Sequence, residues 1–204
     1  AGVITIKKLD TYREFGSPLE GHPPPNMSFI KAATGSLGQG LSIGVGMALA
    51  GKLQKRKFRV FVLAGDSEMA EGSNFEALQL ASYYKLDNLC LIIDVNRLGQ
   101  RGETMLGHDT KIYEKRIESF GWNTEIIEGH DVKKIIGALR RARNRPFAII
   151  AKTIKGKGVS FLEDKNGWHG KSLNDDELKK ALQEIQNLKM PLIKISKPEK
   201  INFI

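Results

Sequence analysis

The sequence has little cysteine, no apolar run long enough to span a membrane, and no signal-peptide pattern at its N-terminus. Cys90, the single cysteine, lies in an apolar segment, so we expect it to be buried and unreactive. One cysteine cannot form an internal disulfide, so a cytoplasmic location is the default expectation. We expect no membrane association. The chain also lacks an initiator Met, from which we expect a processed chain or a fragment.

The charge is strongly positive without being concentrated in one place. The net charge of the 204 residues is +9, but basic residues become dense only at 52–57 and 140–145. Both runs fall at predicted helix ends, where cations are favoured by the C-terminal dipole. Solvated helix ends therefore explain them better than a nucleic-acid site, and we expect no nucleic-acid partner.

Apolar segments of strand length alternate with helical patterns along the chain. The predicted strands lie at 58–64, 89–95, 122–128 and 146–151, and the predicted helices at about 71–85 and 111–120 and after Asp131 and Asn174. This alternation predicts an α/β fold with a mainly parallel sheet flanked by helices. The apolar end of the first strand predicts cover on both faces. We expect one domain at 1–189 and a linker or docking tail at 190–204.

Glycine is frequent between residues 35 and 46. Glycine costs about 1 kcal/mol relative to alanine inside a helix, so such a density needs a reason. Close approach of another backbone or a ligand is one reason, and an internally buried helix is the plain alternative. The portion from Gly35 to Gly40 is the candidate ligand loop.

Two polar side chains follow neighbouring predicted strands. Asp66 comes just after the first strand, and Asn96 just after the second. Ligands bind at this carboxyl edge in open α/β sheets. An anionic oxygen, an amide oxygen and the backbone carbonyl of Leu98 would suit Mg²⁺, or Ca²⁺ or Mn²⁺, holding a diphosphate.

These residues belong to a set of motifs that resembles the transketolase family of thiamine enzymes. The motifs, in family order, are Gly21-His22-Pro23, Thr34 to Gly40, Gly65 to Gly72 through Asn96, Tyr84 to Leu89, Asn96 to Gln100, Ala151-Lys152-Thr153, Lys155 to Gly158, and Trp168-His169-Gly170. They extend over about residues 20–170, which is most of the chain. The resemblance implies the diphosphate-side thiamine diphosphate-binding fold and transfer of a two-carbon ketol unit between sugar phosphates.

The resemblance also implies roles for individual residues. The metal would be held by Asp66, Asn96 and the Leu98 carbonyl, and the diphosphate by the backbone of Ser67, which replaces the motif's usual glycine. The other cofactor contacts implied are Gly35, Ser36 and Leu37 at the aminopyrimidine side, with Lys155 and His169 near the cofactor.

Three residues carry implied catalytic roles. His22 and His169 would contact the substrate or the reacting centre, where imidazole suits proton transfer. Glu71 resembles the family's glutamate at the subunit interface. A carboxylate favoured by the dipole at a helix N-terminus explains Glu71 equally well.

The resemblance covers part of an active site. The family's pyrimidine-binding domain and an earlier Ser-Lys-Gly-His segment are not in this sequence. We therefore expect a chain that needs a pyrimidine-binding domain or subunit as partner, in a dimer or heterotetramer.

Three alternatives stay open from the sequence. One is another thiamine enzyme, either a dehydrogenase alpha subunit or a deoxyxylulose-phosphate synthase. Another is a non-catalytic truncated paralogue that binds cofactor or partner. A generic nucleotide-binding domain is disfavoured because Gly-x-Gly-x-x-Gly and P-loop motifs are missing.

Overall fold

The computed structural model describes residues 4–24, 27, 30–141 and 144–186. The chain divides into two units, one formed by Ser36–Asn187 and the other by Ala1–Gly35 with Leu188–Ile204. The predicted domain at 1–189 stays a prediction, and the predicted tail at 190–204 lies outside the described residues.

The described residues of the smaller unit contain one short helix, α1 (Ile6–Leu9). The Thr5 hydroxyl caps this helix by accepting a hydrogen bond from the Lys8 N–H at 3.2 Å. Further along, the Arg13 N–H donates to the Leu19 carbonyl at 2.7 Å and closes a loop. Capping and loop closure hold this segment locally.

The larger unit is built on a parallel sheet of four strands in the order β1-β2-β4-β3. Its elements in chain order are α2 (Gln39–Leu53), β1 (Val60–Gly65), a 3₁₀ turn (Glu68–Ala70), α3 (Gly72–Tyr83), β2 (Leu89–Val95), α4 (Thr110–Glu118), β3 (Asn123–Glu128), α5 (Val132–Arg140), β4 (Phe147–Lys152) and α6 (Asp175–Gln186). The predicted α/β class with a mainly parallel sheet is confirmed. No helix in the described part of the chain is both long and apolar enough to cross a membrane.

The core lies on both faces of the two central strands, β2 and β4. Helices α2, α3 and α4 cover one face, where Leu78, Leu91 and Ile150 are fully buried. Helix α5 covers part of the other face, where Ala138 packs with a second cluster that includes Ile149. Because both faces are covered, these strands consist mostly of apolar residues.

Glycine lets α2 approach β1 closely. A Cβ atom at Gly44 would lie 2.4 Å from the Cγ2 atom of Val62, and one at Gly51 would lie 2.7 Å from the Phe58 ring. A larger residue at either position would require the contacting side chain or the helix to shift. Of these two positions, Gly44 lies in the glycine-rich stretch for which close approach was expected, and its neighbour is the Val62 side chain.

The expectation that β1 is covered on both faces is wrong for the described residues. Leu63 is 71% exposed and Phe61 is 46% exposed, while Val62 and Ala64 between them are buried. β1 is an edge strand, and the helix on this side of the sheet, α5, packs near β3 and β4. An apolar sequence pattern shows that a strand is hydrophobic, but it does not show whether other elements pack on both of its faces.

Side chains cap the N-termini of α5 and α6. The Asp131 carboxylate accepts from the N–H groups of Lys133 and Lys134 at the start of α5. Asn174 and Glu177 form a reciprocal capping box at the start of α6. On α6, Ala181 is buried whereas Leu178, Leu182 and Ile185 are half-exposed.

The sheet offers a matched pair of leucines that tests this arrangement. Leu91→Ala should lower the free energy of unfolding by about 2–5 kcal/mol, because it opens a cavity in a fully packed core. Leu63→Ala, on the neighbouring strand, should change it by less than about 1 kcal/mol. Urea denaturation of both variants provides the measurement, and equal losses would contradict the open face of β1.

Candidate functional site

The turn after β1 carries a buried carboxylate. Asp66 is 4% exposed, and its two oxygens accept the backbone N–H groups of Ser67 at 2.8 Å and Arg97 at 2.6 Å. Arg97 belongs to the loop after β2, so this second hydrogen bond joins the ends of two neighbouring strands. At the carboxyl edge of the sheet, the turn after β1 is therefore joined to the loop after β2 through Asp66.

The loop after β2 fixes the orientation of the Asn96 amide. Its Nδ2 atom donates to the Asp94 carboxylate at 3.1 Å, and its Oδ1 atom accepts the Leu98 N–H at 3.1 Å. The carboxylate can only accept, so it determines which end of the amide is nitrogen. Asp94 also accepts the Thr153 hydroxyl from the end of β4. Asp94 thus links this loop to the next strand in the sheet.

The carbonyl of Leu98 lies beside a lysine. Lys155 Nζ donates to this oxygen at 3.2 Å and also contacts the Nδ1 atom of His169 at 3.0 Å. With the ammonium as donor, Nδ1 accepts and the imidazole proton lies on Nε2. The structure therefore brings Lys155 and His169 to the loop that contains the predicted metal ligands.

The oxygen donors at this edge suit a hard cation. No cluster of three or more His, Cys, Asp or Glu side chains that could hold a metal occurs in the described residues. A cation here would instead use one carboxylate, an amide and a backbone carbonyl, with phosphate and water oxygens completing the shell. Asp66, Asn96 and Leu98 supply that donor set within one hydrogen-bonded turn.

The electrostatics of Asp66 favour a cation beside it. Burial raises the pKa of the Asp66 carboxyl above its ordinary value, the Arg97 and Ser67 N–H donors lower it, and the charge of Asp94 raises it again. The net shift is upward, so the ionised form is penalised by desolvation. A divalent cation would offset that penalty, which means that the residues present fit the implied metal.

A cavity of about 320 Å³ lies beside Asp66 and is lined mainly by apolar groups, including Met69, Phe75 and Leu106. Tyr113 also lines it, and burial together with the Asp66 charge raises the pKa of this phenol to about 12. Tyr113 therefore stays neutral at physiological pH and adds no charge behind the carboxylate.

The glycine loop before α2 is tied to the same edge by Glu68. Its carboxylate accepts the N–H groups of Gly38 at 2.9 Å and Gly65 at 3.1 Å. The Ser73 hydroxyl donates to the Gly38 carbonyl at 2.8 Å. Ser36 and Leu37, the predicted cofactor contacts, directly precede this anchored residue, and Leu37 is 46% exposed.

Two predicted residues lie in the smaller unit. A Cβ atom at Gly35 would lie 2.5 Å from the His22 ring, and Gly35 has φ +132°. Glycine is required there by both backbone and space. The structure thus brings Gly35 and His22 together within that unit.

Glu71 lies at the start of α3. It is exposed, and its side chain makes no capping hydrogen bond. Its Cβ atom would lie 2.6 Å from a Cβ at Gly38, so it packs against the glycine loop. Its predicted interface role stays a prediction, as do the roles of the other site residues.

Sequence reasoning missed Glu68 and Asp94. Asp94 had a signal, because a carboxylate inside the apolar run of β2 needs a hydrogen-bonding partner. Glu68 lies beside the Gly-Asp turn but reaches back to Gly38, and such a contact over thirty residues has no local pattern.

Comparison with known proteins places these features in context. Residues 3–191 match the family described as transketolase, thiamine diphosphate binding domain. Human transketolase is 48% identical over 186 residues, and mouse transketolase-like protein 2 is 49% identical over 190 residues. Each alignment covers 91% of this chain and 30% of the relative. The chain therefore spans about a third of the length of these relatives.

Solved structures of transketolases also superpose on this chain. Campylobacter jejuni transketolase superposes with a TM-score of 0.82 at 34% identity, covering 88% of this chain and 30% of that one. Pichia stipitis transketolase, solved as a complex with sedoheptulose 7-phosphate, gives a TM-score of 0.80 at 27% identity over 90% of this chain and 29% of that one.

Two glycines test the anchoring of the loop. Gly38→Ala should destabilise the fold by about 1–3 kcal/mol, because Gly38 has φ +82° and a Cβ there would lie 2.6 Å from both Glu71 Cβ and Ser73 Oγ. Gly46→Ala, in open space on α2, should be neutral or stabilising by up to about 1 kcal/mol. Thermal unfolding compares them, and a stable Gly38→Ala variant would argue against the anchored loop.

Proposed function

This chain belongs to the transketolase family, and we propose that it forms the diphosphate-binding half of a thiamine diphosphate site. The site would use Mg²⁺, or Ca²⁺ or Mn²⁺, and would transfer a two-carbon ketol unit between sugar phosphates. The observation that carries the proposal is the turn in which the Arg97 N–H joins Asp66 to the loop of Asn96 and Leu98. Family membership supports thiamine diphosphate as the group that this turn serves.

The proposed binding residues divide by chemistry. Asp66, Asn96 and the Leu98 carbonyl would hold the metal, and the Ser67 backbone would approach the diphosphate. Serine at the position of the motif's second glycine is compatible with this role, because its backbone is right-handed, with φ −67°. A left-handed glycine conformation is not needed there.

The second group of residues would contact the rest of the cofactor and the substrate. Gly35, Ser36 and Leu37 would contact the aminopyrimidine side. Lys155 and His169, joined by a contact of 3.0 Å, would provide positive charge and a proton-transfer group near the sugar phosphate. His22 would add a second imidazole. When bound, thiamine diphosphate supplies the nucleophilic carbon and the electron sink for carbon–carbon cleavage.

The proposed enzyme needs a partner. The matched relatives are about three times longer than the aligned region, and we infer that a pyrimidine-binding domain or subunit completes the site. Glu71, exposed at the start of α3, is the proposed interface glutamate in a dimer or heterotetramer. The cytoplasmic location stays a prediction.

Asp66 provides the central test. Asp66→Asn keeps the size of the side chain but removes its charge, so Mg²⁺-dependent binding of thiamine diphosphate should weaken at least about a hundredfold, the upper end of losses seen for outer-shell changes. Isothermal titration of the whole chain measures the affinity. Asp176→Asn, a fully exposed carboxylate on α6, is the matched control and should bind like the wild type.

The same titration tests the proposed metal-binding role of Asp66. Unaltered binding by Asp66→Asn would overturn the metal assignment. A pyrimidine-binding transketolase domain added in trans then tests the reaction, with turnover expected from xylulose 5-phosphate and not from pyruvate. A preference for pyruvate would favour a different thiamine enzyme.

The raised pKa of Asp66 predicts how the site responds to pH. A carboxyl with a raised pKa stabilises the folded chain below its unfolded pKa, and that contribution is lost as pH rises through the folded pKa. Without Mg²⁺, the wild type should therefore lose stability relative to Asp66→Asn over this rise. Mg²⁺ needs the ionised carboxylate, so its affinity should increase over the same window. Chemical denaturation and Mg²⁺ titration across pH measure both, and parallel stability curves for the two proteins would refute the assignment.

A further inference from the structure

Two residues with left-handed backbone conformations face each other across the site. Arg97 has φ +62° and Asp164 has φ +57°, a region that residues other than glycine seldom occupy. Their side chains form a bidentate ion pair, with Nε to Oδ1 and Nη2 to Oδ2 both at 2.8 Å. Residues held in sparsely populated conformations persist where the surrounding structure fixes them, and they cluster at functional sites.

Each partner of this ion pair also anchors a different loop. The Arg97 N–H donates to Asp66 at 2.6 Å, and Arg97 lies between Asn96 and Leu98. The Asp164 N–H donates to the Lys155 carbonyl at 2.9 Å. The ion pair therefore joins the loop of the proposed metal ligands to the loop that carries Lys155.

A second contact closes the connection into a ring. Lys155 Nζ donates to the Leu98 carbonyl at 3.2 Å. The two loops are thus joined at one point by guanidinium and carboxylate and at another by ammonium and carbonyl. A ring of this kind restrains position and orientation together, because the fork of the arginine matches the carboxylate plane.

We propose that Asp164 is a positioning residue for the Mg²⁺ and diphosphate site. Through the Arg97 side chain it holds the turn that presents Asn96 Oδ1 and the Leu98 carbonyl, and through its own N–H it holds the loop of Lys155. This proposal rests on the proposed function for the ligand, but not for the ring itself, which is a property of the chain alone.

The ring restrains the two loops that it joins and adds little to the free energy of unfolding of the whole chain. The side chains of Arg97 and Asp164 are 26% and 42% exposed, and ion pairs of this exposure contribute little to folding. The pKa of Asp164 lies below its ordinary range because the Arg97 guanidinium hydrogen-bonds to it. The pair therefore stays charged at neutral pH, where it can orient the loops.

The neighbouring residue supplies a matched control. Glu163 pairs with Lys157 at 2.8 Å and accepts the Gly158 N–H, without contact to Arg97. Asp164→Asn and Glu163→Gln each remove one carboxylate charge from the same loop. Asparagine also tolerates the left-handed conformation, so the first variant should fold.

The first measurement needs no ligand. Hydrogen exchange of the whole chain should be faster at the amides of Arg97 and Asp164 in Asp164→Asn than in the wild type, while the midpoint of thermal unfolding stays within a few degrees. Glu163→Gln should leave the Arg97 amide unchanged. If Asp164→Asn leaves both amides as protected as in the wild type, the ring does not hold the loops and the proposal is wrong.

The second measurement concerns the ligand. Asp164→Asn should weaken Mg²⁺-dependent binding of thiamine diphosphate about tenfold, the scale of one hydrogen bond to a charged group, with Glu163→Gln unaffected. Arg97→Gln should lose at least as much, because it also removes the ion pair of Arg97 with Glu103 at 3.2 Å, and Arg97→Lys should recover part of the loss because the charge is kept. The double variant of Arg97→Gln and Asp164→Asn should bind no more weakly than Arg97→Gln alone, because the Asp164 carboxylate acts through the Arg97 side chain.

The outcomes separate the two proposals. Wild-type-like affinity in Asp164→Asn, in a chain where Asp66→Asn abolishes binding, would overturn the positioning role and leave the proposed function standing. A loss of equal size in Glu163→Gln would also overturn it, because the effect would belong to the loop in general. If the wild type shows no Mg²⁺-dependent binding, the proposed function fails, and the exchange experiment still decides whether Asp164 holds the loops.

Discussion

The hydrogen bond from the Arg97 N–H to the Asp66 carboxylate is the constraint on which the rest of the site depends. Parallel strands bring their carboxyl ends to one edge, but they leave the loops beyond that edge undefined. A buried carboxylate must accept hydrogen bonds. Asp66 accepts one from the loop after β2, and this restricts the conformation of that loop. The backbone from Asn96 to Leu98 is therefore held by the hydrogen bond that Asp66 accepts from the Arg97 N–H, and this hydrogen bond does not require a bound cation.

Several carboxylates outside the predicted ligand set extend this order. Glu68 ties the glycine loop to the end of β1, Asp94 ties Asn96 to Thr153, and Asp164 ties Arg97 to the loop of Lys155. All three use short, directional contacts to backbone or fixed side-chain donors. The site is therefore shaped by acidic residues in a chain whose net charge is positive.

Sequence patterns predict the part of this structure that is local. The strand at 89–95 was predictable to the residue, because an apolar run between Asn88 and Asn96 has clear limits. Asp66 and Asn96 were predictable as neighbours from their places after adjacent strands. The contacts of Glu68 and Asp164 were not, since each joins segments thirty or more positions apart through a side chain whose direction depends on the finished fold. The open face of β1 was missed because Leu63 has the same apolar signature with or without a cover.

The Arg97–Asp164 pair has a consequence for the order in which the protein matures during synthesis. It spans 67 positions, and its carboxylate lies beyond the end of β4 at Lys152. As the chain leaves the ribosome from its N-terminus, every strand of the described sheet emerges before Asp164 does. The strands are thus synthesised first, and the ion pair that we propose to position the loop of Asn96 and Leu98 can form only after them.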